Sequence, residues 1–178
     1  MSEDLFEQRA QGLEWLLFDV DGVLTDGRLW YTAKGEEIKA FSVRDGLAFK
    51  LAQRAGLKIG IFTGRKSRPL ERRCKDLGVD EMILGSKDKR TDFADFLERH
   101  QLAPGRVAFT GDDLIDLPVL GRCGLAFCPQ DAVDEVRAVV HRVLETRGGN
   151  GVAREMIESV LKARGAWHDL VAGYSLED

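Results

Sequence analysis

Six short apolar runs recur along the chain, and segments of helical period separate them. That alternation constrains the fold most, because it is the pattern of a parallel sheet with crossover helices. The runs are WLLFDV from Trp15, LKIGIFT from Leu57, MIL from Met82, RVAFT from Arg106, LAFC from Leu125 and VVHRVL from Val139. Near-continuous hydrophobicity suits strands covered on both faces. Between them, 47–55, 68–77, 90–100 and 152–163 carry apolar residues three and four apart, with Gly56, Gly78 and Gly165 as stops. The expected fold is α/β, a doubly wound, Rossmann-like parallel sheet in one domain over 1–178. One segment breaks the alternation. Residues 28–43, RLWYTAKGEEIKAFSV, carry β-type residues on either side of Lys34-Gly35 and predict a β-hairpin inserted after the first strand. The residues after the last helix, 166–178, are expected to form a C-terminal tail.

With 44% hydrophobic residues in 178, the chain can build one full core. Its net charge of -4 argues against nucleic acid as a partner, which calls for a basic surface. Cys74, Cys123 and Cys128 have neither CxxC spacing nor an even count, so buried free thiols are expected rather than disulfides or zinc. The start of the chain is polar and acidic, and no apolar run approaches the ~18 residues of a membrane span. A cytoplasmic protein with no membrane partner is the expectation.

Open α/β sheets bind ligands at the carboxyl ends of their strands. Those ends carry Asp19-Val20-Asp21-Gly22, Thr63-Gly64-Arg65 and Gly111-Asp112-Asp113 with Asp116 beyond, while Lys89 opens the helix before the last of these. Carboxylates at i and i+2 share one side, so one can attack while the other handles a proton. Asp19, Asp112, Asp113 and Asp116 would repel one another, and a hard cation with oxygen ligands, such as Mg²⁺, relieves that repulsion. The alternative is that the second acidic group only caps the following helix.

FDVDGVLTDG, TGR, the second lysine of SKDK and GDDLID resemble, in this order, the four motifs of the haloacid dehalogenase superfamily of phosphatases. FSVRDG, TGRKS followed by RRC, and GGNGVARE resemble, within that superfamily, the 3-deoxy-D-manno-octulosonate 8-phosphate phosphatases. The resemblance implies a nucleophile at Asp19, a general acid and base at Asp21, and phosphoryl contacts from Thr63 and Lys89. It implies Mg²⁺ on Asp19, the Asp21 carbonyl and Asp112, with Asp113 and Asp116 in an outer shell or capping a helix. For the substrate it points to Asp21, Ser42, Val43, Arg44, Asp45, Gly46, Lys50, Gly64, Arg65, Arg73 and Lys89. An arginine fork matches a carboxylate, which suits a phosphorylated sugar acid. Lys50 and Ser42 stand where related enzymes are expected to carry arginine and asparagine, departures that bear on which sugar acid is used. The implied step belongs to lipopolysaccharide sugar synthesis.

Three other readings compete. A nine-carbon, sialic-acid-type 9-phosphate is the alternative substrate. A receiver-type signalling domain also uses Asp, Thr and Lys, but keeps its phosphoacceptor on the third strand and lacks an acid at the place of Asp21. A dehalogenase needs neither Asp21 nor the metal. Gly149-Asn150-Gly151 falls short of a GxGxxG dinucleotide loop because Arg154 takes the last position. His100, His141 and His168 are scattered without a nucleophile.

Segments 20–62 and 64–88 are too short to hold a cap domain as well as the expected hairpin and helices. A bare crevice weakens every electrostatic contact inside it. The apolar hairpin is therefore expected to meet its copies in a homo-oligomer, by resemblance a tetramer, whose neighbours and C-terminal tails help wall the site.

Overall fold

The computed structural model describes residues 1–174. Six parallel strands, β1 (Trp15–Phe18), β4 (Lys58–Thr63), β5 (Glu81–Leu84), β6 (Val107–Thr110), β7 (Leu125–Cys128) and β8 (Arg142–Val143), form a sheet in the order β5-β4-β1-β6-β7-β8. The fold is thus the expected doubly wound α/β sandwich, with β1 central. In register, Leu17 stands between Gly60 and Phe109, and Phe18 between Ile61 and Thr110.

Alternation along β1 divides the core in two. Leu16 and Phe18 face a cluster with Phe6, Phe49, Leu70 and Met156, whereas Trp15 and Leu17 face Phe93, Phe96, Val119 and Val136. The first face is covered by α1 (Glu3–Gln11), α2 (Val43–Arg54), α3 (Arg68–Leu77) and α7 (Val152–Ala163), the second by α4 (Lys89–Arg99), α5 (Leu117–Leu120) and α6 (Asp134–Arg137). Each Phe or Leu buried in these layers contributes roughly 1.5–3 kcal/mol. The strand ends between the layers are therefore held firmly.

Several boundaries differ from the sequence reading. The N-terminal segment is a helix, α1, capped by Ser2 Oγ, which accepts from Leu5 N at 3.4 Å, and it buries Phe6 and Ala10 at i and i+4. The hairpin holds only β2 (Trp30–Tyr31) and β3 (Glu37–Ile38), paired antiparallel. Val43 already belongs to α2, because Ser42 caps that helix and Asp45 sits in its first turn. The run from Val139 yields only Arg142–Val143 as strand, since Val139 and Val140 close the turn after α6 with hydrogen bonds to Val136. The expected tail begins with a helix, α8 (Trp167–Ala172), whose Trp167 ring lies 4.8 Å from the Arg154 guanidinium carbon. Residues 175–178 of that tail lie outside the described residues. Among the described residues, no helix is long and apolar enough to cross a membrane.

Candidate active site

β1 delivers Asp19 to the carboxyl edge of the sheet, where its N–H donates to the Thr110 carbonyl at 2.9 Å. The chain then turns sharply, and the Val20 carbonyl accepts from Val23, Leu24 and Thr25. Gly22 makes the turn possible at φ 94°, and a Cβ there would sit 2.0 Å from Asp112 Oδ2. β4 ends on buried Thr63, whose hydroxyl accepts from Arg65 N at 3.3 Å. Gly64 and Arg65 are exposed beside it.

Lys89 is the first residue of α4, a helix capped by Asp88. Only 4% exposed, it donates to Asp19 Oδ1 at 2.8 Å and to Asp116 Oδ1 at 2.5 Å, above the Phe62 and Phe109 rings. Burial works against its ammonium, but the two carboxylates outweigh burial and hold its pKa above the ordinary value. Asp116 uses its other oxygen to accept from the N–H groups of Asp112 and Asp113, at 2.9 and 3.3 Å, while Asp113 caps Leu114 N at 2.7 Å. The capping alternative is therefore realised by Asp113 and Asp116. It does not account for Asp112.

Asp112 Oδ1 is buried without a hydrogen-bond partner among the described residues. Burial, then Asp19, Asp116 and Asp113, push its pKa up to about 8. Asp19 is raised to about 7, because burial and Asp116 together exceed the pull of Lys89. One lysine cannot neutralise the three carboxylates of Asp19, Asp112 and Asp116, each of which has an oxygen within 4.8 Å of an oxygen of the other two. An orphaned buried carboxylate oxygen in an all-oxygen donor set fits a hard divalent cation.

The second carboxylate of the pair, Asp21, faces the hairpin. It pairs with Lys39 Nζ and lies 3.4 Å from Arg65 Nε, while Arg65 Nη2 donates to Glu37 at 2.9 Å and to the Tyr31 hydroxyl at 3.2 Å. Lys39 was missed in sequence. Its signal was the i, i+2 pairing with Glu37, which puts both on one face of a strand whose other face shows Ile38.

The remaining expected residues are more scattered. Arg73 donates to the Ser42 carbonyl at 3.2 Å, and Gly46 gives it room, since a Cβ there would meet Nη2 at 2.4 Å. Val43 and Arg44 are exposed and, with Ser42 and Asn150, line a surface hollow of about 490 Å³. Asp45 is buried beside Arg73 and Gly46 rather than open to the crevice, and it caps α7 from outside, accepting from Arg154 N at 2.8 Å. Lys50 is not brought to the crevice either: its ammonium donates to the Leu77 carbonyl at the end of α3. The Gly149-Asn150-Gly151 loop packs on the turn after Asp19, where Gly149 N donates to Val23 O at 3.0 Å and a Cβ on Gly148 would lie 2.2 Å from the Gly22 carbonyl. A larger hollow of about 540 Å³ lies along α1 and α7, but its Arg142, Arg154 and Lys162 are paired with Glu3 and Glu158.

Residues 36–124, half of the chain, match the family of haloacid dehalogenase-like hydrolases. A curated relative, 3-deoxy-D-manno-octulosonate 8-phosphate phosphatase of Haemophilus influenzae, is 41% identical over 159 residues, 89% of this chain and 88% of that one. The chain belongs to the haloacid dehalogenase-like hydrolases. Among solved structures, this hydrolase is similar to the Moraxella catarrhalis 3-deoxy-D-manno-octulosonate 8-phosphate phosphatase, crystallised in complex with magnesium ion, phosphate ion and KDO. The TM-score is 0.94 at 32% identity, over 98% of this chain and 100% of that one. It is also similar to a cobalt-bound H. influenzae enzyme of that name, at TM-score 0.86 and 41% identity over 90% of this chain and 94% of that one.

Proposed function

We propose that this hydrolase is a magnesium-dependent phosphatase that converts 3-deoxy-D-manno-octulosonate 8-phosphate to the free sugar acid and inorganic phosphate, a step of lipopolysaccharide sugar synthesis. The observation that carries the reading is the arrangement of Asp19 at a strand end, with Lys89 on one oxygen and the orphaned Asp112 carboxylate beside it. The names and high similarity of the relatives support the substrate.

Asp19 is the nucleophile. Its carboxylate oxygen bonds to phosphorus as the bond from phosphorus to the sugar oxygen breaks, and Asp21 gives its proton to that oxygen. Asp21, now a carboxylate, takes a proton from water as the water oxygen bonds to phosphorus and the bond from phosphorus to the Asp19 oxygen breaks, which frees phosphate and restores the Asp19 carboxylate. Thr63 and Lys89 hold the equatorial phosphoryl oxygens and offset their charge. Asp19, the Asp21 carbonyl and Asp112 would hold Mg²⁺, which supplies Lewis-acid stabilisation of phosphoryl charge when bound. Arg65 and Arg73 would read the sugar acid's carboxylate end, with the segment from Ser42 to Gly46 beside Arg73.

Four exposed hairpin residues, Leu29, Trp30, Tyr31 and Ile38, support a homo-oligomer, by family likeness a tetramer. The cytoplasm is the compartment this reading assigns to it. Specificity constants test the substrate. The eight-carbon 8-phosphate should exceed a nine-carbon 9-phosphate in kcat/KM, and the reverse order would assign the enzyme to the nine-carbon class.

A further inference from the structure

Each carboxylate of the Asp19-Val20-Asp21 pair has a lysine of its own. Lys89 reaches Asp19 from α4, and Lys39 reaches Asp21 Oδ1 from the hairpin. Lys39 follows β3 directly, two residues after Glu37, so the two side chains share the inner face of the hairpin while Ile38 points outward, 53% exposed. Glu37 Oε1 lies 3.7 Å from Lys39 Nζ and also accepts from Arg65 at 2.9 Å. The two cations thus bracket Asp21 and are steered by one acid between them.

Exposure separates the two cations. The Arg65 side chain is 42% exposed and open to a ligand, whereas that of Lys39 is 2% exposed, hardly more than a core residue. A buried ammonium on Oδ1 fixes the rotation of a carboxylate that is itself 20% exposed, and it sets the other oxygen, Oδ2, 3.4 Å from the exposed Arg65. Asp21 is the side chain that gains most from such a clamp, because the same group must meet first the leaving oxygen and then a water.

We propose that Lys39 is a positioning residue: it holds Asp21 in the orientation needed for both proton transfers, and so ties the hairpin to the chemistry. This rests on the reading of Asp19 and Asp21 given above. It makes the hairpin part of the acid–base apparatus as well as a surface for assembly.

The test is Lys39→Met beside Lys39→Arg and Asp19→Asn, in the full chain with Mg²⁺ present, using the sugar-acid phosphate and an aryl phosphate. The aryl phosphate has a good leaving group, so it phosphorylates the enzyme without needing the acid. The folded fraction of each variant is measured separately, by circular dichroism and urea unfolding, and rates are taken per folded site, so partial misfolding does not mimic the effect. Lys39→Met should lower kcat on the sugar-acid phosphate by roughly 100-fold, the cost of a misplaced catalytic group, with KM little changed. With the aryl phosphate it should give a burst followed by slow release, with phosphoenzyme accumulating in acid-quenched samples, and Lys39→Arg should recover most of the rate. Wild-type kcat in Lys39→Met, or a loss confined to KM, would overturn the proposal, as would slow turnover without accumulated phosphoenzyme or any arginine rescue. If Asp19→Asn also turned over, the reading of the site itself would fail. An inert Asp19→Asn beside an unimpaired Lys39→Met would remove the lysine's role alone.

Discussion

At the residue scale, the two aspartates of the first motif differ through their surroundings. Asp19 is buried against Lys89, while Asp21 is partly exposed between Lys39 and Arg65. Asp21→Asn should therefore still be phosphorylated by an aryl phosphate but release phosphate on the order of 10²–10⁴ times more slowly. Acid quench would detect the trapped phosphoenzyme, and its absence would count against a two-step reaction. Asp45 makes a different kind of statement. Burial, only partly offset by the N–H groups of Arg154 and Ala153 and by Arg73, pushes its carboxyl up to about 6. A folded pKa above the unfolded one means stability fully present below about pH 4 and lost as pH rises through about 6. Measured against Asp45→Asn by urea unfolding, the wild type should lose on the order of 2–3 kcal/mol between those limits. A flat difference would show that the helix cap, not burial, governs this carboxyl.

At the element scale, the strands and long helices were legible because a continuous apolar run marks a strand covered on both faces and a 3.6-residue period marks a helix covered on one. α3 and α7 have the bounds their apolar spacing predicts. The start of α2 was not legible, since its first turn, Val43-Arg44-Asp45-Gly46, has no helical apolar spacing and holds a glycine, and it reads as a loop until Ser42 is seen to cap it. α1 was hidden for a similar reason: it buries Phe6 and Ala10 alone and is otherwise a polar surface helix. The hairpin was visible as β-type residues around Lys34-Gly35, but its inner face was not, because a lysine paired across the fold looks like any surface lysine. A two-stranded ribbon is marginal by itself. Trp30, 58% exposed, and Ile38 are accordingly expected to meet their copies in an oligomer. Trp30→Asp with Ile38→Lys should shift the protein to monomer in light scattering at micromolar concentration, whereas an unchanged mass would move the interface elsewhere.

At the scale of the whole molecule, the sheet does the assembling. Thr63 closes β4, Asp19 follows β1 and Gly111-Asp112 follows β6, so three neighbouring strands deliver hydroxyl and carboxylates to one edge. Those strand-end residues could be named from sequence because the topology of an open α/β sheet dictates where its ligands sit. What sequence could not give was the distribution of charge among them. Only the fold reveals that Asp116 is absorbed by Lys89 and two N–H groups, leaving Asp112 with a buried oxygen that has no partner among the described residues. The central claim is that this edge is a cation-requiring phosphoryl-transfer site with Asp19 as nucleophile. Phosphate release from 3-deoxy-D-manno-octulosonate 8-phosphate, followed in chelator-treated buffer and then after adding excess Mg²⁺, tests it most directly. The wild type should be silent in the first condition and fully active in the second, with Asp19→Asn silent in both. Full turnover without metal, or turnover by Asp19→Asn once Mg²⁺ is present, would contradict it.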